Sequence, residues 1–399
     1  MKKKEIHEKI NIGLFGFGVV GEGIYKVLEE KPQLNATIKK IVIKDSSKTR
    51  NAPSALFSTN ADDILNDDEI NVVVELISDA DAAHDIIKKA FNKRKHVVSA
   101  NKKLIAAHHK ELLDLQEQNK VSFLYEASVC GSVPIIRNLE EYFDNDLLNY
   151  VSGIVNGTTN YILTKMANEN ESYQDALKAA QENGFAEADP TADVEGYDAA
   201  SKLAIITLHA FGKKIEVQDV IRKGITSLKV EDFKYAKEKD YTIKLIANSK
   251  INHQTGEITS TVLPTFVELN KTIALVNNEY NGVLIGSSLS DEQFLYGKGA
   301  GRFPTSSAVL SDISALKYDY KYSIRKYENE KKGVFNETGK RRVYIGFESQ
   351  ADDVSSFFEE IEERYQSKNY NHIVGVIDIE KLKQKEIIEN TNLSIIAFE

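Results

Sequence analysis

Several features are scarce or missing in this chain. Cys130 is the single cysteine among 399 residues, which excludes an intrachain disulfide and a zinc cage made of several cysteines. The apolar runs, such as residues 203–206, are far too short to span a bilayer. The first nine residues contain no apolar segment, so we expect no signal peptide. Together these absences favour a reducing cytoplasm and no membrane partner.

Basic residues are in the minority. Lys and Arg number 51 and Asp and Glu 60, which gives a formal net charge of −9. This acidic balance argues against nucleic acid and against an anionic membrane surface as partners. Apolar residues make up 42% and charged residues 28%, which is typical of a globular chain with two or three domains.

The first 145 residues alternate short apolar runs with helical patterns. Continuous apolar strands between helices are typical of a parallel α/β sheet that is covered on both faces, the doubly wound Rossmann type. One helix is predicted around residues 110–118, and Asp81 is predicted to cap the helix before it. The predicted strands cover residues 10–15, 38–43, 72–76, 97–98 and 121–125.

The rest of the chain predicts further domains. Strands followed by helices, and a hairpin of residues 241–251 and 258–267, indicate a separate α+β domain. A strand–helix–strand pattern, with its helix over residues 354–365, predicts a small βαβ-like C-terminal domain. The predicted domains are residues 1–145 completed by a helix at 305–317, residues 146–304, a linker at 318–342, and residues 343–399.

A glycine-rich turn joins the first predicted strand to the first helix. Its sequence, Gly16-Phe17-Gly18-Val19-Val20-Gly21, fits GxGxxG in the strand–turn–helix context that a dinucleotide site requires. The first glycine permits the tight turn, the second lets the backbone approach a pyrophosphate, and the third lets the helix pack closely on the strand. The alternative is a plain glycine turn without a ligand.

The loop after the second strand bears on the choice between NAD(H) and NADP(H). An acidic residue there favours a free ribose 2′-hydroxyl, and a basic residue favours a 2′-phosphate. The loop contains Asp45 but also Lys44, Lys48 and Arg50. Its basic majority favours NADP(H), while the alternative for all four charges is a solvated loop.

An acidic segment before a helix contains the best candidates for catalysis. Asp198 and Lys202 are four residues apart on the predicted helix, so they share a face at the edge of its buried stripe. A partly desolvated lysine beside carboxylates suits an acid or electrostatic catalyst. The alternative is a surface ion pair worth a few tenths of a kcal/mol. The segment contains five acids: Glu187, Asp189, Asp193, Glu195 and Asp198.

Three other segments follow predicted strands. Thr158 or Thr159 either caps a helix or, with backbone amides, binds a substrate carboxylate. Lys102 or Lys103 lies at the sheet edge where ligands bind, and the other of the two is solvated. Residues 126–133 offer a carboxylate and carbonyls to a hard cation, although an ordinary glycine loop explains the pattern better.

Taken in order, these segments resemble homoserine dehydrogenase over residues 10–316. The resemblance implies NAD(P)H-dependent, reversible reduction of L-aspartate 4-semialdehyde to L-homoserine, in threonine and methionine biosynthesis. It also implies a homodimer formed through the middle domain. The specific segments are Ser99-Ala-Asn-Lys102, Tyr125-Glu-Ala-Ser-Val129 and residues 153–160, 184–202 and 299–305.

The resemblance implies roles for individual residues. Lys202 would donate a proton to the aldehyde oxygen, Lys102 would polarise that oxygen, and Asp193 would orient Lys202. The substrate-binding residues would be Glu187, Asp198, Gly157 and Thr158. The cofactor-binding residues would be those of the glycine turn with Lys44, Ser99, Lys102, Gly184 and Gly301. A monovalent cation, usually sodium, would be held by Glu126 and the carbonyls of Val129, Gly131 and Val133.

The chain departs from the family pattern at three places. Cys130 stands where a glycine is usual in the cation loop, and Lys44 stands where an arginine is common. Residues 343–399 resemble a shortened ACT-like unit that lacks the Asp-x-Pro-Gly-like turn. Two alternatives are another Rossmann oxidoreductase that acts on a sugar or hydroxy acid, and an NADP(H)-binding regulator without turnover.

Overall fold

The chain forms two compact units in the computed structural model, which describes residues 9–144, 147–323, 326, 339–348 and 354–399. Unit 1 consists of Met1–Glu141 and Lys298–Ile324, and unit 2 consists of Tyr142–Gly297 and Arg325–Glu399. Among the described residues, no helix has both the length and the apolar composition needed to cross a membrane.

Unit 1 is built on a parallel sheet of six strands. The strands are β1 (Ile10–Phe15), β2 (Ala36–Val42), β3 (Phe57–Ser58), β4 (Val72–Glu75), β5 (His96–Ser99) and β6 (Phe123–Leu124). Their order in the sheet is β3-β2-β1-β4-β5-β6, and every neighbouring pair is parallel. All four residues of β4 are buried, as expected for a strand covered on both faces. The predicted Rossmann-type sheet is confirmed.

Helices complete unit 1. They are α1 (Val19–Glu30), α2 (Asp62–Leu65), α3 (Ala80–Asn92), α4 (Lys102–Asn119) and, much later in the chain, α10 (Arg302–Ala315). α10 packs on α1, where the Ser306 hydroxyl donates to the carbonyl of Val20 at 3.0 Å. A Cβ added to Gly23 would lie 2.4 Å from the same hydroxyl oxygen, so the absence of a side chain permits this close packing.

Two helix starts in unit 1 differ from those predicted. Asp79, not Asp81, caps α3, because its carboxylate accepts from the N–H groups of Asp81 and Ala82, both at 3.1 Å. α4 begins at Lys102, eight residues before the predicted start, and Asn101 caps it. The two lysines, two alanines and two histidines of its first turns obscure the apolar period on which the prediction rests.

Unit 2 has a mixed sheet of ten strands. They are β7 (Leu148–Ile154), β8 (Ile221–Arg222), β9 (Tyr241–Ile251), β10 (Ile258–Glu268), β11 (Tyr280–Ser287), β12 (Glu292–Lys298), β13 (Lys340–Phe347), β14 (Glu360–Tyr365), β15 (Asn371–Asp378) and β16 (Ser394–Phe398). Their order is β12-β11-β7-β9-β10-β16-β13-β15-β14, with β8 also paired to β10. The predicted hairpin is present as the antiparallel pair β9–β10.

The helices of unit 2 all follow β7 in the chain, and α5, α8 and α9 pack on β9. α5 begins directly after the first strand of the sheet, and α8 is the longest of this set. The helices are α5 (Gly157–Glu169), α6 (Tyr173–Glu182), α7 (Thr191–Val194), α8 (Tyr197–Phe211), α9 (Val230–Glu238), α11 (Ile379–Leu382) and α12 (Lys385–Ile388).

The C-terminal strands belong to the same sheet as the middle of the chain. β16 pairs in parallel with β10, where Thr265 opposes Ala397, and antiparallel with β13. Ile221 and Leu263 share one hydrophobic cluster with residues of β13 and β15. The described residues of this region, 343–348 and 354–399, therefore continue this sheet and share its core. Most of the predicted linker 318–342 lies outside the described residues.

The helix predicted over residues 354–365 is wrong. A short 3-10 turn, Ser355–Phe357, is followed by the strand β14, which forms the edge of the sheet. Its glutamates favour a helix by propensity, but they also suit an exposed edge strand, where charge discourages pairing with other chains. Arg342 of unit 2 pairs with Glu362 of this strand at 2.7 Å.

Candidate active site

The glycine turn of unit 1 has the geometry that its sequence predicts. Gly16 has φ +93°, and a Cβ there would lie 3.0 Å from the carbonyl oxygen of Leu76. A Cβ on Gly21 would lie 2.7 Å from the carbonyl oxygen of Gly16, which keeps α1 close to β1. A Cβ on Gly18 would meet nothing within 4 Å, so the backbone is open to a ligand at the first turn of α1.

The basic residues after β2 do not all face solvent. Arg50 donates to the carbonyls of Asp45 and Lys48, at 2.6 and 2.7 Å, and so holds the loop together. Hydrogen bonds from Ser47 lower the pKa of Asp45. Lys44 and Lys48 are exposed. These two ammonium groups are therefore the ones placed to meet an anionic group from solvent.

A buried glutamate lies at the ends of β4 and β5. Glu75 accepts from the Ser99 hydroxyl at 2.6 Å and from the N–H of Ile77 at 2.7 Å. Burial raises the pKa of Glu75 to about 7, against the lowering effect of both hydrogen bonds. The sequence did not reveal Glu75 because it lies inside the apolar run, residues 72–76, that was predicted as a strand. At the start of α4, Lys102 is half-buried, whereas Lys103 is exposed.

The loop after β6 encloses a second buried carboxylate. Glu126 accepts from the backbone N–H groups of Ile136 and Arg137, at 2.9 and 2.8 Å. Its own N–H donates to Asp312 of α10 at 2.9 Å. Burial and the charge of Glu126 raise the pKa of Asp312 to about 8, although Arg137 lies 2.8 Å away and opposes the shift. Asp312 is a buried acid that the sequence did not distinguish from a surface one.

The same loop turns sharply at two residues. Cys130 and Gly131 have φ +53° and +54°, so Cys130 adopts the left-handed conformation in which a glycine is favoured. Val129, Gly131 and Val133 are buried, and their carbonyl oxygens accept no hydrogen bond from any residue that the structure describes. Unused oxygen ligands beside a carboxylate fit a hard cation.

In unit 2, Lys202 and Asp198 form a buried ion pair on α8. The Lys202 ammonium lies 2.8 Å from Asp198 Oδ2 and donates to the carbonyl of Val155 at 2.7 Å. Their side chains are 11% and 4% exposed. The predicted i, i+4 pair is therefore present and desolvated, which distinguishes it from a surface ion pair. α8 starts after Gly196, which has φ +78°.

Asn156 joins this pair to a second carboxylate. Its Nδ2 donates to Asp198 Oδ2 at 2.9 Å and to Asp193 Oδ1 at 2.7 Å. Its Oδ1 accepts from the N–H of Thr159 at 2.8 Å, so Asn156 is the cap of α5. The predicted capping by Thr158 or Thr159 is wrong. The Thr158 hydroxyl instead donates to the carbonyl of Phe185 at 2.6 Å, next to Gly184.

The remaining acids of the segment 184–202 have separate environments. Glu195 accepts from the Thr226 hydroxyl at 2.7 Å, and Asp189 accepts from the N–H of Thr191 at 3.1 Å. Hydrogen bonds from the Thr191 side chain and, to a smaller extent, from its N–H lower the pKa of Asp189. Glu187 is exposed. Of the five acids, Asp193 and Asp198 thus converge on Asn156, while Glu187 faces solvent.

Comparisons with known proteins agree with this architecture. A family model described as "Homoserine dehydrogenase" matches residues 134–314. A second model, described as "Homoserine dehydrogenase, NAD binding domain", matches residues 16–126. The homoserine dehydrogenase of Bacillus subtilis is 39% identical over 316 residues, 77% of this chain and 72% of the relative. The crystal structure of a homoserine dehydrogenase from Thiobacillus denitrificans is 29% identical and superposes with a TM-score of 0.84, over 98% of each chain.

A further solved structure is a hyperthermophilic archaeal homoserine dehydrogenase in complex with NADPH. It has a TM-score of 0.67 and 25% identity over 79% of this chain and 99% of its own. The parallel sheet, its glycine turn and these matches define the class, an NAD(P)-dependent oxidoreductase acting on a CH–OH group. The chain belongs to the homoserine dehydrogenase family, which confirms the predicted resemblance.

Proposed function

We propose that this chain reversibly reduces L-aspartate 4-semialdehyde to L-homoserine, as its family membership implies. The observation that carries the proposal is the buried ammonium of Lys202, which Asp198 and the carbonyl of Val155 hold in place. An aldehyde that receives a hydride becomes an alkoxide, which needs a proton and a cation within hydrogen-bond reach. Lys202 donates that proton to the alkoxide oxygen, and its amine then regains one from water.

The other residues of unit 2 bind the substrate or orient Lys202. Asp193 acts through Asn156, which fixes the carboxylate of Asp198 and so the position of Lys202. The exposed carboxylate of Glu187 binds the α-ammonium of the substrate, together with Asp198. Gly157 and Thr158 stand at the start of α5, where backbone N–H groups suit the substrate carboxylate.

The residues that bind the cofactor are those of the glycine turn together with Gly184 and the residues named below. The bound nicotinamide supplies the hydride. The glycine turn, with Phe17, Val19 and Val20, accepts the pyrophosphate, and Ser99 and Gly301 approach the rest of the cofactor. Lys102 polarises the substrate oxygen. The exposed ammonium of Lys44 supports NADP(H) over NAD(H), because it can meet a 2′-phosphate.

A monovalent cation, most simply Na⁺, binds at Glu126 and the carbonyls of Val129, Gly131 and Val133. The unused carbonyl oxygens support this assignment. We further propose a homodimer formed through the middle segment, residues 146–304, which also binds substrate, and a cytoplasmic role in threonine and methionine biosynthesis. Light scattering after size exclusion tests the dimer.

The reaction is tested by mixing purified chain with homoserine and NADP⁺ or NAD⁺, and following the absorbance of reduced nicotinamide. We expect turnover with homoserine, faster with NADP⁺, and faster when sodium is added to a choline buffer. Turnover confined to sugars or hydroxy acids without an α-ammonium would favour a different oxidoreductase. Tight cofactor binding with no turnover on any of these would favour a regulator.

A further inference from the structure

Two histidines and a glutamate that have no role assigned above meet on unit 1. His84 lies on α3, and His108 and Glu111 lie one turn apart on α4. His84 Nε2 is 2.9 Å from Glu111 Oε2, and His108 Nδ1 is 3.8 Å from the same oxygen. The two imidazole rings stack with centroids 4.0 Å apart and planes 19° apart.

The spacing of these atoms suits a transition metal. One ligand atom from each residue lies within 4.8 Å of the other two. Ligands bound to zinc at about 2.1 Å in a tetrahedral arrangement are about 3.4 Å apart, so the ligand atoms must come closer and the two rings must rotate out of their stacked arrangement when metal binds. Two imidazoles with one carboxylate form a ligand set that zinc takes with a fourth position left to water.

A neighbouring lysine orients the carboxylate of the third ligand, Glu111. Lys88 donates to Glu111 Oε1 at 2.7 Å, while Oε2 is the oxygen that faces both rings. A metal ligand held by an outer hydrogen bond in this way is pre-oriented for binding. The histidine side chains are 15% and 33% exposed, so solvent reaches the cluster.

We propose that His84, His108 and Glu111 form a surface site for a divalent transition metal such as Zn²⁺, which clasps α3 to α4. The alternative is a plain ion-pair cluster between the two helices, with no affinity for metal. Because the site lies outside the catalytic residues, bound metal stabilises unit 1 and leaves the dehydrogenase reaction unchanged.

Calorimetric titration of the full, untagged chain with Zn²⁺ in sodium buffer tests the proposal. We expect one ion per chain with a Kd on the order of 1 µM, a raised Tm, and no binding of Mg²⁺, which prefers oxygen ligands. The double variant His84→Gln/His108→Gln and the single variant Glu111→Gln should each weaken binding at least about tenfold. His253→Gln, which changes an exposed histidine of unit 2, should bind like the original chain.

Two results would overturn the proposal. One is no heat and no change of Tm with up to millimolar Zn²⁺. The other is undiminished binding by the double variant, which would place the metal elsewhere, for example on the acids of unit 2. Circular dichroism and the metal-free Tm show whether each variant is folded. If the double histidine variant does not fold, the nearly isosteric variant Glu111→Gln still tests whether the cluster binds Zn²⁺.

Discussion

Asn156 has two structural roles, and a suitable substitution removes one of them while keeping the other. Its carbonyl oxygen caps α5, and its amide nitrogen holds Asp193 and Asp198 together. Serine keeps a capping oxygen and loses the amide donor. Asn156→Ser should therefore keep α5 capped and lose only the stability of the two buried hydrogen bonds, about 1–3 kcal/mol by urea unfolding, while kcat for homoserine falls about 10- to 100-fold, because Asp198 no longer holds Lys202 in position.

The matched control for this prediction is Ser172→Ala. It removes the cap of α6, where the Ser172 hydroxyl accepts from the N–H of Asp175, so it should cost about 1 kcal/mol of stability and leave kcat unchanged. If Asn156→Ser retained full kcat, the positioning role of Asn156 would be wrong.

Glu75 should make stability depend on pH. Its folded pKa of about 7 is above the ordinary value for glutamate, so between these two values the folded chain binds a proton that the unfolded chain has released. The stability that this proton contributes is therefore lost as the pH rises towards 7. Above about pH 7, Glu75 makes no further change to the free energy of unfolding. Urea unfolding from about pH 5 to about pH 8, without cofactor, should show this loss, of about 1–3 kcal/mol.

The variant Glu75→Gln has no carboxyl proton to release, so its free energy of unfolding should not show the loss that Glu75 causes as the pH rises. Glu386→Gln, at an exposed glutamate of α12, should retain the original pH dependence. Identical slopes for Glu75→Gln and the original chain would contradict the raised pKa.

At the scale of single residues, the sequence predicts pairs that are close in the chain. Asp198 and Lys202 were predicted as partners because four residues make one helical turn. The contact of Asn156 with Asp193 spans 37 residues and that of Glu126 with Asp312 spans 186. Such contacts depend on how elements pack, which spacing in one sequence does not encode.

At the scale of elements, the start of α8 fixes the direction in which Lys202 points. Gly196 has φ +78°, and a Cβ there would lie 3.2 Å from Val262 Cγ1. Gly196→Ala should cost about 1 kcal/mol of backbone strain and about 1 kcal/mol more from crowding. Gly256→Ala has a similar φ, +75°, with nothing within 4 Å, so it should cost the strain alone. Urea midpoints compare them, and equal losses would contradict the crowding at Gly196.

The type of an element was predicted correctly where burial sets the spacing of its apolar residues. The prediction failed where the element is exposed and has no such spacing. The buried strands β1 and β4 and the hairpin β9–β10 follow from apolar runs. The exposed strand β14 has no such run, and its glutamates indicate a helix until its pairing with β15 is known. Its identity comes from the neighbouring strand and not from its own residues.

At the scale of the whole molecule, the sequence predicted the Rossmann-type sheet and the family, but not the continuity of unit 2. The pairing of β16 with β10 joins residues separated by more than a hundred positions. A strand–helix–strand pattern reads as a separate domain because nothing in its sequence shows which edge receives it. For the same reason, the sequence indicated the helix α10 but did not show that it packs against Gly23 of α1.

The role of Lys202 is tested most directly by Lys202→Arg and Lys202→Ala, assayed for homoserine oxidation and, separately, for NADPH binding by calorimetry. Arginine keeps the positive charge beside Asp198 but does not give up a proton at neutral pH. We predict that kcat falls about 100- to 10,000-fold in both variants, while the Kd for NADPH changes less than about threefold. A folded Lys202→Arg enzyme with the original kcat would contradict the account.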